Sequence, residues 1–169
     1  RVPVLPGGLL FLPPMRYRVC KSFEVESGHM LSKHPGRCRY PHGHSRRIDI
    51  VVSSERLDDH DMVCDFKAIK LAVADLLDRF DHAMALNAGD PFAKELIEGG
   101  MASRVVVFDD EDPTTEVMAR RIFEEVTAAI AEGRTLTDAD GNAFGFPTGL
   151  TIERVRVTET SSSWAEYGI

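Results

Sequence analysis

The sequence has few cysteines, no long hydrophobic run and no excess of positive charge. Cys20, Cys38 and Cys64 are an odd number at wide spacings, which does not fit a disulfide framework and favours a reducing, cytoplasmic compartment. No apolar run approaches the roughly 20 residues that cross a bilayer, so we expect no membrane partner. The formal net charge of −7 argues against nucleic acid as a partner.

The chain length fits one domain, because 169 residues suffice for a single hydrophobic core. Residues 1–14 are apolar but rich in proline, and no small-residue cleavage site follows them, so they do not fit a signal peptide. Regular patterning begins at Met15, which we expect to be the natural start. We therefore predict an N-terminal extension over 1–14, native or added, followed by a single domain over 15–169.

Hydrophobic periodicity predicts an α+β protein. The predicted order is strand, strand, helix, strand, helix, strand, over 16–26, 44–54, 66–79, 103–108, 114–130 and 150–159. The first two strands are expected to pair as an antiparallel hairpin with a long connection. The economical arrangement is a four-stranded antiparallel sheet with two amphipathic helices on one face. The other face is then covered by further subunits or stays wet.

The connection between the first two strands ends in Cys38-Arg39-Tyr40-Pro41-His42-Gly43-His44. Residues two apart in an extended chain point to the same side, so His42 and His44 can both reach one ion. A catalytic zinc needs three protein ligands and one open position. His29, at the end of the partner strand, is the candidate for the third ligand. An H-x-H pair in a basic turn also arises by chance, and its spacing alone leaves that alternative open.

A series of short motifs runs through residues 17 to 160. They are Phe23-x5-His29, Cys38-x3-His42-Gly43-His44, Met62-Val63-Cys64-Asp65-Phe66, Phe80-Asp81-His82, Leu86-Asn87, Pro113-Thr114-Thr115-Glu116 and Glu159-Thr160. In content and order this series resembles the 6-pyruvoyltetrahydropterin synthase family, which includes the 6-carboxytetrahydropterin synthases of the queuosine pathway. The resemblance covers nearly the whole patterned chain.

The resemblance implies a tunnelling fold (T-fold) and an assembly. In this family three subunits close their sheets into a β-barrel, two trimers stack as a homohexamer, and the active sites lie at subunit interfaces. Closure would remove the exposed sheet edges. The sequence departs from the family at Glu24 and Glu26, where small residues are usual, and segments 88–112 and 135–149 are longer than in compact members.

The resemblance also implies roles for individual residues. Zinc ligands would be His29, His42 and His44; the catalytic group would be Cys38, assisted by Asp81 and His82; and substrate binding would involve Glu159, as pterin anchor, with Thr115 and Glu116. Each has a plain alternative: Cys38 as a small core residue, His82 as a partner of a helix dipole, Glu159 as the wet end of a strand. Four basic residues, Arg37, Arg39, Arg46 and Arg47, are either a solvated loop or phosphate contacts.

The implied activity is that of a Zn²⁺-dependent 6-carboxy-5,6,7,8-tetrahydropterin synthase. Its substrate would be 7,8-dihydroneopterin triphosphate, a small-molecule partner, with release of acetaldehyde and triphosphate. A 6-pyruvoyltetrahydropterin synthase acts on the same substrate, and the residues do not separate the two. A third member type carries glutamate in place of the cysteine, which Cys38 argues against. The alternative from a different class is a noncatalytic zinc- or pterin-binding protein.

Overall fold

The computed structural model describes residues 15–169, so the predicted extension over 1–14 lies outside the described residues. In chain order the elements are β1 (Tyr17–His29), β2 (His42–Ser54), α1 (Phe66–Phe80), β3 (Ala83–Asn87), α2 (Pro91–Leu96), β4 (Val105–Phe108), α3 (Thr115–Ala131), β5 (Leu136–Thr137), β6 (Ala143–Phe144), β7 (Thr151–Thr160) and β8 (Ser163–Gly168). A short 3-10 turn, Arg37–Arg39, lies in the connection between β1 and β2.

Six strands form one mixed sheet in the order β4-β3-β1-β2-β7-β8. Strands β1 and β2, β2 and β7, and β7 and β8 pair antiparallel. Strand β3 pairs parallel with β1, and β4 pairs parallel with β3. The α+β class is confirmed, but the sheet differs from the four antiparallel strands predicted. Strand β3 is short and mostly buried, and β8 is mostly exposed, so neither has the apolar-polar alternation that reveals a strand.

The predicted hairpin of β1 and β2 is confirmed, and its register positions the histidines. The pairing runs without interruption from Tyr17↔Ser54 to His29↔His42. His29 therefore lies directly opposite His42 at the end of the hairpin that carries the long connection. The same register pairs Gly28 with Gly43, one step further into the sheet.

Both predicted long helices are present and pack on the same sheet face. Asp65 caps α1 by accepting from the Lys67 N–H, and Thr114 caps α3 by accepting from the Val117 N–H. Their buried stripes meet apolar residues that alternate along β2 and β7. The core of sheet and helices includes Ile48, Ile50, Val52, Val155, Val157, Ile69, Val73, Met118, Ile122 and Val126. Each fully buried side chain of this kind contributes about 1.5–3 kcal/mol.

The opposite sheet face is polar and crossed by side-chain hydrogen bonds. Ser22 donates to Asp49 at 2.6 Å, and Arg156 donates to Glu166 at 2.9 Å. These residues follow one another across β1, β2, β7 and β8. In the described part of the chain, no helix combines the length and apolar character needed to span a membrane.

Candidate metal centre

Three histidines and one glutamate meet where β1, β2 and β7 come together. His29 ends β1, His42 and His44 begin β2, and Glu159 lies near the end of β7. One ligand atom from each lies within 4.8 Å of the others. The ring centroids of His29 and His42 are 4.4 Å apart, and each is 5.1 Å from the ring of His44. The structure thus brings the three predicted zinc ligands together and adds a carboxylate beside them.

Backbone carbonyl groups set the orientation of two of the imidazoles. His29 Nδ1 lies 2.8 Å from the Pro113 oxygen, and His42 Nδ1 lies 2.7 Å from the Tyr40 oxygen. A carbonyl oxygen only accepts, so each Nδ1 carries the proton and each Nε2 keeps a free lone pair. Metal-ligating histidines have this arrangement, in which the outer N–H is bound and the other nitrogen faces the ion.

Two inner nitrogens of the cluster lack protein partners. His42 Nε2 and His44 Nε2 are buried, and neither forms a hydrogen bond with any residue in the described range. Leaving a buried polar atom unpaired is costly, so such atoms need another kind of partner. Two orphaned imidazole nitrogens beside a third imidazole fit a divalent metal ion.

The electrostatics of the cluster favour neutral imidazoles. His29 is completely buried, and this burial, reinforced by the positive charge of Arg46, lowers its pKa to about 4 despite the hydrogen bond to Pro113. Burial and Arg46 also lower the pKa of His44. Both side chains therefore stay uncharged at neutral pH. Neutral imidazole is the form that binds a metal.

Glu159 supplies negative charge beside the histidines. Its Oε1 lies 3.5 Å from His44 Nε2, and its Oε2 accepts the Thr115 hydroxyl. Burial by itself would raise the pKa of this carboxyl, but the Thr115 hydrogen bond and the positive charge of Arg46 hold the pKa below its usual value. The carboxylate is therefore ionised at neutral pH.

A cavity of about 330 Å³ opens beside His44. It is lined by Glu26, Ser27, Gly28, Gly43, His44 and Ser45, from the paired ends of β1 and β2. A side chain on Gly28 would bring a Cβ within 2.8 Å of Met84 Cε, so the flexible end of Met84 would have to move. His44 is the member of the cluster that lines this cavity.

The predicted catalytic residues lie in two separate places. Cys38 is half-buried in the Arg37–Arg39 turn. Asp81 and His82 precede β3, where His82 Nδ1 donates to Asp81 Oδ2 at 2.9 Å and Asp81 Oδ1 accepts from the Glu26 N–H. The Asp-His pair is thus formed, with the two side chains 44% and 73% exposed. Within the described chain no side-chain hydrogen bond connects Cys38 to His82.

The two predicted substrate residues of α3 differ in their surroundings. Thr115 is buried, and its hydroxyl lies between Arg46 and Glu159. Glu116 is exposed in the first turn of the helix. Thr115 therefore contacts the cluster through Glu159, whereas Glu116 faces solvent.

Sequence reasoning misplaced Arg46 and overlooked Asp112. Arg46 is not part of a solvated basic loop, because only 1% of it is exposed. Its position two residues before Ile48, on the buried face of β2, was a usable signal. Asp112 accepts from the Ser32 hydroxyl, the Lys33 N–H and the Asn87 amide, and so anchors the segment before Pro113. Sequence alone offers no signal for these long-range contacts.

The fold and the histidine cluster together define an α+β protein with a candidate metal centre at the ends of adjacent strands. The family model described as 6-pyruvoyl tetrahydropterin synthase matches residues 18–168, and the chain belongs to this family. Solved structures of 6-pyruvoyl tetrahydropterin synthases share this fold, so the predicted T-fold is confirmed.

Relatives and solved structures agree with this membership. A 6-carboxy-5,6,7,8-tetrahydropterin synthase of Aquifex aeolicus is 27% identical over 90% of this chain and 98% of the relative. One of the same name from Rickettsia bellii is 30% identical over 68% of this chain and 83% of the relative. A 6-pyruvoyl tetrahydropterin synthase structure from Caenorhabditis elegans has a TM-score of 0.58 at 17% identity, covering 94% of this chain and 99% of that one. An uncharacterised protein from Wolinella succinogenes reaches 0.72 at 18% identity, over 91% and 98%.

Proposed function

We propose that this protein is a Zn²⁺-dependent 6-carboxy-5,6,7,8-tetrahydropterin synthase. It would convert 7,8-dihydroneopterin triphosphate and water to 6-carboxytetrahydropterin, acetaldehyde and triphosphate. The observation that carries the proposal is the pair of buried, unpartnered Nε2 atoms of His42 and His44 beside the buried ring of His29. The names of the relatives from Aquifex aeolicus and Rickettsia bellii support the choice of reaction.

His29, His42 and His44 would hold the metal through their Nε2 atoms. Three imidazoles and an open position suit zinc better than the harder divalent cations, which prefer oxygen ligands. A bound zinc ion would supply Lewis-acid polarisation of the substrate side-chain oxygens. The carbonyl groups of Pro113 and Tyr40 hold two of the rings in the tautomer that binds it.

Glu159 would bind the pterin ring in this proposal. An ionised carboxylate can accept paired N–H groups such as those of a pterin, and such charge-assisted hydrogen bonds are about twice as strong as neutral ones. Glu159 Oε1 lies 3.5 Å from His44 Nε2 and accepts no hydrogen bond from the side chains of the described residues, because the Thr115 hydroxyl binds Oε2. Glu116, exposed in the first turn of α3, is the second carboxylate available to the same substrate.

Cys38 and the Asp81–His82 pair would move protons during the reaction. Asp81 fixes the His82 ring with Nδ1 protonated, which leaves Nε2 free to accept a proton. Cys38 would exchange protons with the substrate side chain. Because no side-chain hydrogen bond connects Cys38 to His82 in the described chain, we propose that the site is completed across a subunit interface of a homohexamer.

The test is to incubate the zinc-loaded protein with 7,8-dihydroneopterin triphosphate and to identify the products by mass spectrometry. Carboxytetrahydropterin with acetaldehyde in equal amounts supports the proposal. Pyruvoyltetrahydropterin would reassign the protein as a 6-pyruvoyltetrahydropterin synthase. Unchanged substrate, with one zinc bound per chain, would leave a noncatalytic binding protein.

A further inference from the structure

Arg46 is an unusual neighbour for a metal centre. It is the largest of the fully buried side chains and lies two residues after His44 in β2. Ile48 pairs with Val157, and Arg46 and Glu159 each lie two residues beyond this pair, where both contact the Thr115 hydroxyl. A buried guanidinium is costly unless its N–H groups find acceptors and its charge finds a counter-charge.

The direct partners of Arg46 are neutral groups. Its Nε donates to Ser27 Oγ at 3.2 Å and its Nη1 to Thr115 Oγ1 at 3.0 Å. Its Nη2 lies 3.3 and 3.4 Å from the two ring nitrogens of His29. In the part of the chain that the structure describes, no carboxylate accepts directly from the guanidinium. The negative charge that it reaches is Glu159, through the hydroxyl of Thr115.

The direction of these hydrogen bonds follows from the chemistry of arginine. A guanidinium has donors only, so Thr115 Oγ1 must accept from Arg46. The single hydroxyl proton of Thr115 is then available for Glu159 Oε2, which it contacts. Oε2 is thereby engaged, while Oε1 remains on the side of His44. The carboxylate is held in one orientation with one oxygen free.

We propose that Arg46 is a positioning residue that acts through Thr115 to orient Glu159 for the pterin ring. This inference rests on the proposed function, because it takes the pterin as the ligand of Glu159. Arg46 itself is too deeply buried to contact substrate, so its whole effect passes through the Thr115 hydroxyl and the His29 ring.

The matched pair Thr115→Val and Thr115→Ser tests the relay without removing the buried charge. The probe is 7,8-dihydroneopterin, whose binding to the zinc-loaded protein is measured by pterin fluorescence at equal zinc content. T115V loses the hydroxyl and should bind 7,8-dihydroneopterin about 10- to 100-fold more weakly. In turnover of the triphosphate substrate, the KM of T115V should rise by a larger factor than its kcat falls. T115S keeps the hydroxyl and should retain most of the affinity that T115V loses.

A double-variant cycle with Arg46→Met shows whether both residues act along one path. R46M should lower the affinity for 7,8-dihydroneopterin as T115V does. The double variant should then lose no more affinity than the single variant with the larger loss. Unchanged binding by T115V, or losses that add in the double variant, would overturn the inference, as would a wild-type protein that does not bind the probe. Coupled binding losses without turnover of the triphosphate would support the relay and reject only the proposed activity. If R46M does not fold, the Thr115 pair decides alone.

Discussion

His29 donates its Nδ1 proton to the carbonyl oxygen of Pro113, which lies 84 positions further along the chain, at 2.8 Å. This bond ties the end of β1 to the residue that precedes the cap of α3. It fixes the ring with Nε2 directed at the other histidines. A contact between distant parts of the chain therefore determines which nitrogen of His29 is available to a metal.

Replacing His42 with alanine should abolish stoichiometric zinc binding. The affinity should fall by more than the roughly 10- to 100-fold typical of a lost outer hydrogen bond, because a ligand atom itself is removed. Zinc content after dialysis, measured by inductively coupled plasma mass spectrometry, checks this outcome. The control is His60→Ala, which removes an exposed histidine outside the cluster. Full zinc occupancy in H42A would contradict the assignment.

The stability of the metal-free protein should fall as the pH decreases from about 6.5 to 4. The pKa of His29 is about 4 in the folded protein, against 6.5 for a solvated histidine, so the unfolded chain binds the proton first as the pH falls. Neutral His29 therefore contributes about 3 kcal/mol to the free energy of unfolding. This contribution is complete above pH 6.5 and is lost as the pH falls through 4.

Urea unfolding of the chelator-treated protein between pH 4 and 7 measures this dependence. The matched variant is His29→Asn, whose amide N–H can still donate to Pro113 but does not titrate in this range. H29N should show a flatter pH profile than the wild type. Identical profiles for the two proteins would show that His29 does not carry the effect.

Asp112→Ala should destabilise the protein by about 2–3 kcal/mol, because three donors lose a buried ionised acceptor. The same change should weaken zinc binding, since Asp112 anchors the segment that presents the Pro113 carbonyl to His29. Asp112→Asn keeps one acceptor oxygen but turns an N–H group to the Lys33 N–H. Its loss of stability should therefore lie between those of the wild type and D112A. Urea unfolding gives the ranking, and a D112A protein as stable as the wild type would contradict it.

Cys38→Ala should lower kcat by about 100- to 10,000-fold while zinc content stays unchanged, as expected for loss of an acid-base group. Steady-state kinetics with 7,8-dihydroneopterin triphosphate gives the rate. Cys20→Ala is the matched control, because Cys20 is an exposed thiol on β1 outside the site. Equal turnover by C38A and the wild type would remove Cys38 from the mechanism.

Two inactive variants should restore activity when their subunits are mixed. Cys38→Ala and His82→Ala each remove one half of the proposed proton-transfer group, and no side-chain hydrogen bond connects the two halves within the described chain. Co-refolded mixed assemblies should recover a fraction of the wild-type rate, whereas each variant refolded alone should not. Sizing by native mass spectrometry should find six chains. Absence of recovery in a confirmed mixed hexamer would place both residues in the same subunit's site.

Local sequence patterns were sufficient to predict the hairpin, the two long helices and the histidine pattern. These features depend on local regularities: alternation along β1 and β2, the apolar stripes and caps of α1 and α3, and the spacing of His42 and His44. Because β1 and β2 are consecutive strands of one hairpin, their register also follows from the pattern, and with it the meeting of His29 and His42.

The groups that surround the histidines could be identified only from the tertiary structure. The parallel strand β3, the carbonyl of Pro113, the anchor at Asp112 and the path from Arg46 through Thr115 to Glu159 join residues far apart in the chain. Such contacts depend on how helix α3 packs across the sheet, and local sequence patterns carry no information about that packing. The alternation of β2 assigns Arg46 to the buried face, but its partners Ser27, Thr115 and His29 are visible only in the folded structure.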